Sequence, residues 1–218
     1  MNILAIDTCT EVASVALYSS GVMTERVLTD VTKSSGHILK LCNEVFEEAG
    51  RHLKEIDLIA YSKGPGAFTG VRMCIGVVQG LSLSCNIPTI GFSTLELLGF
   101  RASKILNVNK IAVALDARMG EVYWAVYDHG VLTNMRICGP EDVDSLGADF
   151  VGVGTGWRVH HDKLHFASSV RTTDLNIYPQ ASELVDLSLL AVESGQKPTL
   201  ELPQPIYLRN NVAQKSLK

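Results

Sequence analysis

Basic runs, paired cysteines and long apolar segments are all scarce in this 218-residue chain. No stretch of Lys or Arg exceeds two residues, and 19 basic residues face 23 acidic ones for a net charge of −4. A protein that neutralises many phosphates alone carries a basic face, so direct nucleic-acid binding is disfavoured. The five cysteines (Cys9, Cys42, Cys74, Cys85 and Cys138) are odd in number and form no CxxC pair. Four of them lie in apolar segments, which predicts buried, reduced thiols and a cytoplasmic location. No run approaches the roughly 20 apolar residues that span a bilayer, so no membrane partner is expected. The opening "MNILAIDT" reads as a strand and lacks the basic start and apolar length of a signal peptide. There is no GxSxG, no HExxH and no Cys–His pair of diagnostic spacing, so no catalytic residue is predicted.

What is present is a core. Apolar residues make up 46% of the chain and charged ones 19%, which excludes disorder. The length suits one large domain or two small ones. Residues 2–8, 12–19 and 22–29 read as three consecutive strands with turn chemistry at Gly21. Residues 35–49 switch to helical period, with Ser34 or Ser35 as the cap and Gly50 as the stop. A buried strand at 56–62, a helix at about 69–85 and a strand at 87–94 follow. Residues 110–118, 121–128 and 130–139 again read as three strands, then a polar loop, a short strand in "FVGVGTG" and an amphipathic helix at 181–195. The tail "KPTLELPQPIYLRNNVAQKSLK" reads as an extended surface segment.

The chain repeats itself. Residues 5–27 laid on 114–136 without gaps match at seven of 23 positions: Ala5/Ala114, Asp7/Asp116, Ala16/Ala125, Tyr18/Tyr127, Gly21/Gly130, Val22/Val131 and Thr24/Thr133. Chance gives roughly one or two. Two related lobes, each opening with a three-strand β-meander and an Asp-led turn, predict an α/β protein of the actin-like ATPase (ASKHA) class. In that class such turns hold nucleotide phosphates and metal across a cleft. A carboxylate there positions metal or water while hydroxyls and backbone N–H groups contact phosphate. The candidate nucleotide residues are Asp7, Thr8 and Thr10 in the first turn, Asp116 in the second, and Gly154 in the glycine-rich "GVGTGW". The alternative is that both aspartates only cap tight turns.

The loop Gly64-Pro65-Gly66 is not a Walker loop: the spacing to Gly70 is wrong and no Lys-Ser/Thr follows. It reads as the launch of a helix with a small-residue edge, Gly76, Gly80 and Ser84. Such an edge lets another helix approach closely, inside the chain or from a partner. Arg72, one turn into that helix, has the planar fork favoured at interfaces. His161 and His165 stand four apart, but a third ligand is not apparent, so no metal is expected and the segment reads as a solvated loop.

The stretches "KGPGAFTGVRMCIGVVQGLS", "ILAIDTCTEVASVAL", "LDARMGEVYWAVY", "GVGTGW" and "PIYLRNNVA" closely resemble the bacterial TsaB (YeaZ) family over essentially the whole chain. The resemblance implies two actin-like lobes, placed here at 1–100 and 101–218. It implies a non-catalytic role in forming N6-threonylcarbamoyladenosine (t6A) at position 37 of tRNAs that read ANN codons. The partners it implies are the transferase TsaD, the ATPase TsaE in a ternary complex, and a second copy when alone, with tRNA held through the complex. It implies contact through the first two helices, which nominates His37, Leu41, Val45, Gly70, Arg72, Met73, Gly76, Val77, Gly80 and Ser84. No tightly bound cofactor is expected; weak ATP or ADP binding is. An autonomous actin-like ATPase or kinase, and after it a metallopeptidase, remain as alternatives.

Overall fold

A computed structural model describes residues 1–29 and 34–209, with only the backbone of 34–36. The proposed Ser34 or Ser35 cap and the last nine residues of the tail lie outside the described residues. The strands are β1 (Ile3–Asp7), β2 (Ala13–Ser19), β3 (Val22–Leu28), β4 (Leu58–Ser62), β5 (Thr89–Phe92), β6 (Lys110–Arg118), β7 (Glu121–Asp128), β8 (Val131–Cys138), β9 (Val151–Val153) and β10 (Thr172–Asp174). The helices are α1 (Ser34–Ala49), α2 (Phe68–Cys85), α3 (Thr94–Leu106), α4 (Thr155–Ser168) and α5 (Ala181–Glu193).

The strands form two five-stranded sheets, ordered β3-β2-β1-β4-β5 and β10-β9-β6-β7-β8. Read from the other end, the second order repeats the first, strand for strand. The pairs β1–β2 and β2–β3 are antiparallel while β1–β4 and β4–β5 are parallel, and β6 to β10 follow the same scheme. The glycine shared by the two repeats has a backbone reason. Ser20-Gly21 (φ 52° and 82°) and His129-Gly130 (φ 48° and 87°) form two-residue hairpins with both central residues at positive φ, a shape that glycine takes without steric cost.

Four apolar clusters separate the layers. α1 and α2 cover the outer face of the first sheet through Ile38, Cys42, Val45, Val71, Cys74 and Val78. The inner face of that sheet is covered by α5, through Ala181, Leu184 and Val185 against Ile3, Ala5 and Ile90. α3 packs Leu95, Leu98 and Ala102 on the second sheet, and α4 closes its far side with Trp157 and Leu164. Each half therefore lends its last helix to the sheet of the other.

One expectation is corrected and one helix is added. Residues 155–168 form a helix, so His161 and His165 lie on α4 rather than in a loop; buried Trp157 and Leu164 hold it to the sheet. α3 was missed because Gly99 interrupts its pattern, and that glycine is required where Tyr127 would sit 2.7 Å from a Cβ. α2 is long and apolar enough to cross a membrane by length and composition alone, with mean hydropathy 1.3 over 18 residues, and 28% of it is buried. Counting unbroken apolar runs misses it because glycine, serine and glutamine interrupt a helix whose average stays apolar.

Candidate functional site

The turn after β1 is sealed by the loop that launches α2. Ala67 N donates to Cys9 O at 2.8 Å, and Thr8 Oγ1 donates to Gly70 O at 2.7 Å. A Cβ at Gly66 would lie 2.1 Å from Cys9 O, and one at Gly70 would lie 2.0 Å from Thr8 O. The two glycines thus let the loop press backbone against backbone, and they cost helix and loop entropy to do it. Asp7 is fully buried behind this contact and Thr8 nearly so. Oδ1 of Asp7 accepts from Cys9 N at 3.1 Å and from the Ser62 hydroxyl, while Oδ2 has no hydrogen-bond partner among the described residues. Burial raises the Asp7 carboxyl from 3.8 to about 6, against the lowering effect of those hydrogen bonds.

The second aspartate is in a different place. Asp116 lies within β6, ahead of a register shift, and the turn proper is Met119-Gly120. Its Oδ1 accepts from Arg118 N at 2.9 Å, as Asp7 accepts from Cys9 N, so each aspartate binds the backbone two residues on. Asp116 Oδ2 pairs with Arg118 Nη1 at 2.9 Å, and Asp116 N donates to Thr155 Oγ1 at 3.1 Å. His160, at a kink in α4, brings Nε2 to 3.9 Å from Asp116 Oδ1. Gly154 caps α4 at φ 103°, with room for only a hydrogen where Ala114 O would sit 2.4 Å from a Cβ.

A cavity of about 720 Å³ separates the two halves; Thr10, Arg72, Asp116, Thr155, Tyr207 and Arg209 are among its lining. Thr10 and Asp116 meet there, Asp7 and Thr8 do not reach it, and Gly154 sits beneath it in the strand-to-helix turn. One wall is the C-terminal segment, which crosses both halves. Thr199 exchanges two hydrogen bonds with Thr89 at 2.7 and 3.0 Å, Gln79 Nε2 donates to Pro203 O at 2.8 Å, and Ile206 N donates to Lys63 O at 2.7 Å. Arg209 then reaches the second half, 2.6 Å from Glu121 Oε2 and 3.1 Å from Ala117 O.

The outward face of α2 is the other notable surface. Arg72, Gly76, Gly80 and Ser84 are exposed along it, with Leu83 67% and Phe68 59% exposed beside them. A Cβ at Gly76 or Gly80 would meet nothing within 4 Å, so neither glycine serves a close contact among the described residues. Among the other expected interface residues, Met73 and Val77 are half-buried against the core and His37 is half-buried on α1. Leu41 and Val45 correct the expectation: they belong to the core under α1, where 9% and none of their surface is exposed, because the apolar stripe of α1 faces its own sheet. Gly70 likewise serves the internal contact with Thr8.

A family model described as TsaD, tRNA N6-adenosine threonylcarbamoyltransferase, matches residues 29–217. A protein of Escherichia coli K12 named tRNA threonylcarbamoyladenosine biosynthesis protein TsaB is 36% identical over 228 residues, covering 100% of this chain and 98% of that one. The chain belongs to the TsaB family. A TsaB of Haemophilus influenzae is 33% identical, over 100% of this chain and 97% of its own. Among solved structures, YeaZ from Pseudomonas aeruginosa superposes with a TM-score of 0.84 at 33% identity, covering 94% of this chain and all of that one.

In this TsaB-family chain no group of three or more His, Cys, Asp or Glu side chains is placed to hold a metal among the described residues. His161 and His165 stack at 5.5 Å between ring centroids, and Arg171 Nη1 sits 2.9 Å from His165 Nε2, where a cation is poorly tolerated. Sequence reasoning missed Tyr207 and Arg209 as cleft residues; no periodicity marks an irregular strap. It also missed Phe68 beside Arg72, which the i, i+4 spacing on a helix could have revealed.

Proposed function

We propose that this chain is a non-catalytic subunit of t6A formation that binds TsaD through the outer face of α2 with α1 beside it. The observation that carries the reading is an 18-residue helix of mean hydropathy 1.3 with 28% of it buried and two glycines open along its outward face. Kinship to proteins named for t6A biosynthesis supplies the pathway. The finer architecture goes with it: two actin-like lobes, at 1–100 and 101–218, each opening with a β-meander. TsaE joins in a ternary complex, a second copy occupies the same face when TsaD is absent, and tRNA is held by the assembly, in the cytoplasm. The chain holds no cofactor tightly. Any ATP or ADP binds weakly in the cleft, since the Thr8 hydroxyl is committed to Gly70 O and the Asp7 carboxyl is buried away from the cleft lining.

The test is reconstitution. TsaD from the same organism is assayed for t6A formation with and without this chain, and the lone chain is assayed for steady-state ATP turnover. The expected result is t6A only in its presence and no turnover by the chain alone. Equal t6A yield without it, or turnover by the isolated chain, ends the reading.

A further inference from the structure

α2 carries one charged side chain in 18 residues, Arg72. It is exposed, and its guanidinium carbon lies 3.3 Å from the centroid of the Phe68 ring and 5.1 Å from that of Tyr207. Both rings are themselves left in solvent, Phe68 59% and Tyr207 51% exposed. Tyr207 is not free to wander, because Ile206 N is bonded to Lys63 O on one side and Arg209 to Glu121 and Ala117 O on the other. The C-terminal strap thus delivers an aromatic ring from a distant part of the chain to the head of α2.

Ring contacts use the flat face of a guanidinium and leave its edge, with the N–H donors, available. One of the Arg72 donors is used, Nη1 to Phe68 O at 3.2 Å. Arg26, Arg51, Arg101, Arg118, Arg136 and Arg209 each touch a carboxylate of this chain. Arg72, Arg158 and Arg171 touch none within 4.0 Å among the described residues, and of these three Arg72 is the one held most closely against an aromatic ring, whereas Arg158 and Arg171 bond Tyr178 and His165. A pre-positioned cation with its own carboxylate withheld is complementary to a carboxylate brought by something else.

The position of Arg72 adds direction. It stands four residues before Gly76 and eight before Gly80, on the same exposed stripe. A helix laid along the glycines passes Arg72 at one end only. On an otherwise uncharged apolar surface, a single charge fixes the register and polarity of what docks, as one polar residue does in a coiled coil.

We propose that Arg72, held against Phe68 with Tyr207 beside it, receives one Asp or Glu side chain of the helix that docks on α2 and so sets its register. The proposal rests on the partner reading above, with the partner being the TsaD protein. Affinity for TsaD from the same organism is measured by titration calorimetry at low and high salt. The variants are Arg72→Gln, Arg72→Lys, Tyr207→Leu and, for the reading itself, Gly76→Leu. All three sites are exposed, so every variant is expected to fold, with melting temperatures at or above the wild-type value.

Arg72→Gln is expected to bind about tenfold more weakly or worse and to lose part of the salt dependence. Arg72→Lys should recover only part of the loss because an ammonium neither stacks nor forks. Tyr207→Leu should weaken binding although it removes no charge. Arg72→Glu, abolished alone, should be rescued by changing one acidic residue on the docking helix of TsaD to Lys. Gly76→Leu abolishing binding while Arg72→Gln stays within twofold overturns this proposal and leaves the reading intact. Wild-type binding by both overturns the two together. Weakened Arg72→Gln with no acidic residue of TsaD coupled to it overturns the carboxylate assignment.

Discussion

Asp7 is a carboxylate with no exposed surface and one oxygen without a partner among the described residues. Its carboxyl is raised from 3.8 to about 6 by burial, so the folded state favours the protonated form. Below pH 3.8 both states are protonated and the stability is full. Between 3.8 and about 6 the unfolded chain gives up its proton first, and stability falls as pH rises through that window. The whole effect is about 3 kcal/mol, at 1.36 kcal/mol per pH unit. Asp7→Asn keeps an acceptor for Ser62 and Cys9 N and cannot ionise. Urea melts from pH 3 to 8 are expected to show the variant gaining on wild type by about 1–3 kcal/mol above pH 6 and little below pH 4. Glu25 and Glu96 are raised by burial too, but they are common to both proteins and cancel in the difference. A flat difference curve rejects the raised Asp7 carboxyl. The glycines of α2 offer a second contrast. Gly70→Ala puts a Cβ 2.0 Å from Thr8 O, which is backbone and cannot swing aside, so a loss of about 3 kcal/mol or more is expected. Gly76→Ala meets nothing within 4 Å and should stabilise by about 0.5–1 kcal/mol. Thermal melts of the two variants should move in opposite directions.

At the scale of elements, α2 has two faces with different duties. Val71, Cys74, Ile75, Val78 and Ser82 are buried and hold it to the sheet, while the glycine stripe looks outward. Gly76→Leu and Gly80→Leu should therefore fold with an unchanged or raised melting temperature, since leucine is the better helix former, yet fail to co-elute with TsaD. A folded variant that still co-elutes removes α2 from the interface. The same two-sidedness explains what the sequence made legible. Strands of the repeat were readable because alternation, the hairpin glycines Gly21 and Gly130 and the paired identities agree on one structure. α1 and α2 were readable from their apolar period, but the period alone does not say which side is covered. Leu41 and Val45, nominated as interface residues by the family resemblance alone, lie on the apolar face of α1 and are core in the fold. α3 hid behind Gly99, although Ser93, which caps it by accepting from Leu95 N at 3.2 Å, and Glu96 form the expected start signal. α4 hid because most of its side chains are polar and only Trp157 and Leu164 anchor it. The cleft was half legible: Thr10 and Asp116 were named from the repeat, whereas Tyr207 and Arg209 arrive from a segment with no period to read.

The whole molecule is tied together by exchange. α3 follows the strands of the first sheet but buries Leu95, Leu98 and Ala102 against the second, and α5 follows the second but buries Ala181, Leu184 and Val185 against the first. Arg101 on α3 pairs with Glu183 on α5 at 2.6 Å, so the two exchanged helices also meet each other. Each sheet is covered on its inner face mainly by a helix of the other half, with Leu97 of α3 the first half's own contribution to the first sheet. If the chain is divided after residue 108, the first fragment exposes the Ile3, Ala5, Leu58 and Ile90 face that α5 covers, along with the face of α3 that belongs elsewhere. Each buried side chain of that size is worth about 1.5–3 kcal/mol, and a domain's net stability is only about 5–15 kcal/mol, so losing a handful removes it. Neither fragment 1–108 nor fragment 109–218 is expected to melt cooperatively alone, and mixing them should restore a cooperative transition and the native circular dichroism. A cooperative melt of isolated 1–108 as a monomer would show that α1, α2 and the strands suffice. The two sequence repeats would then be independent folding units, rather than halves that complete each other.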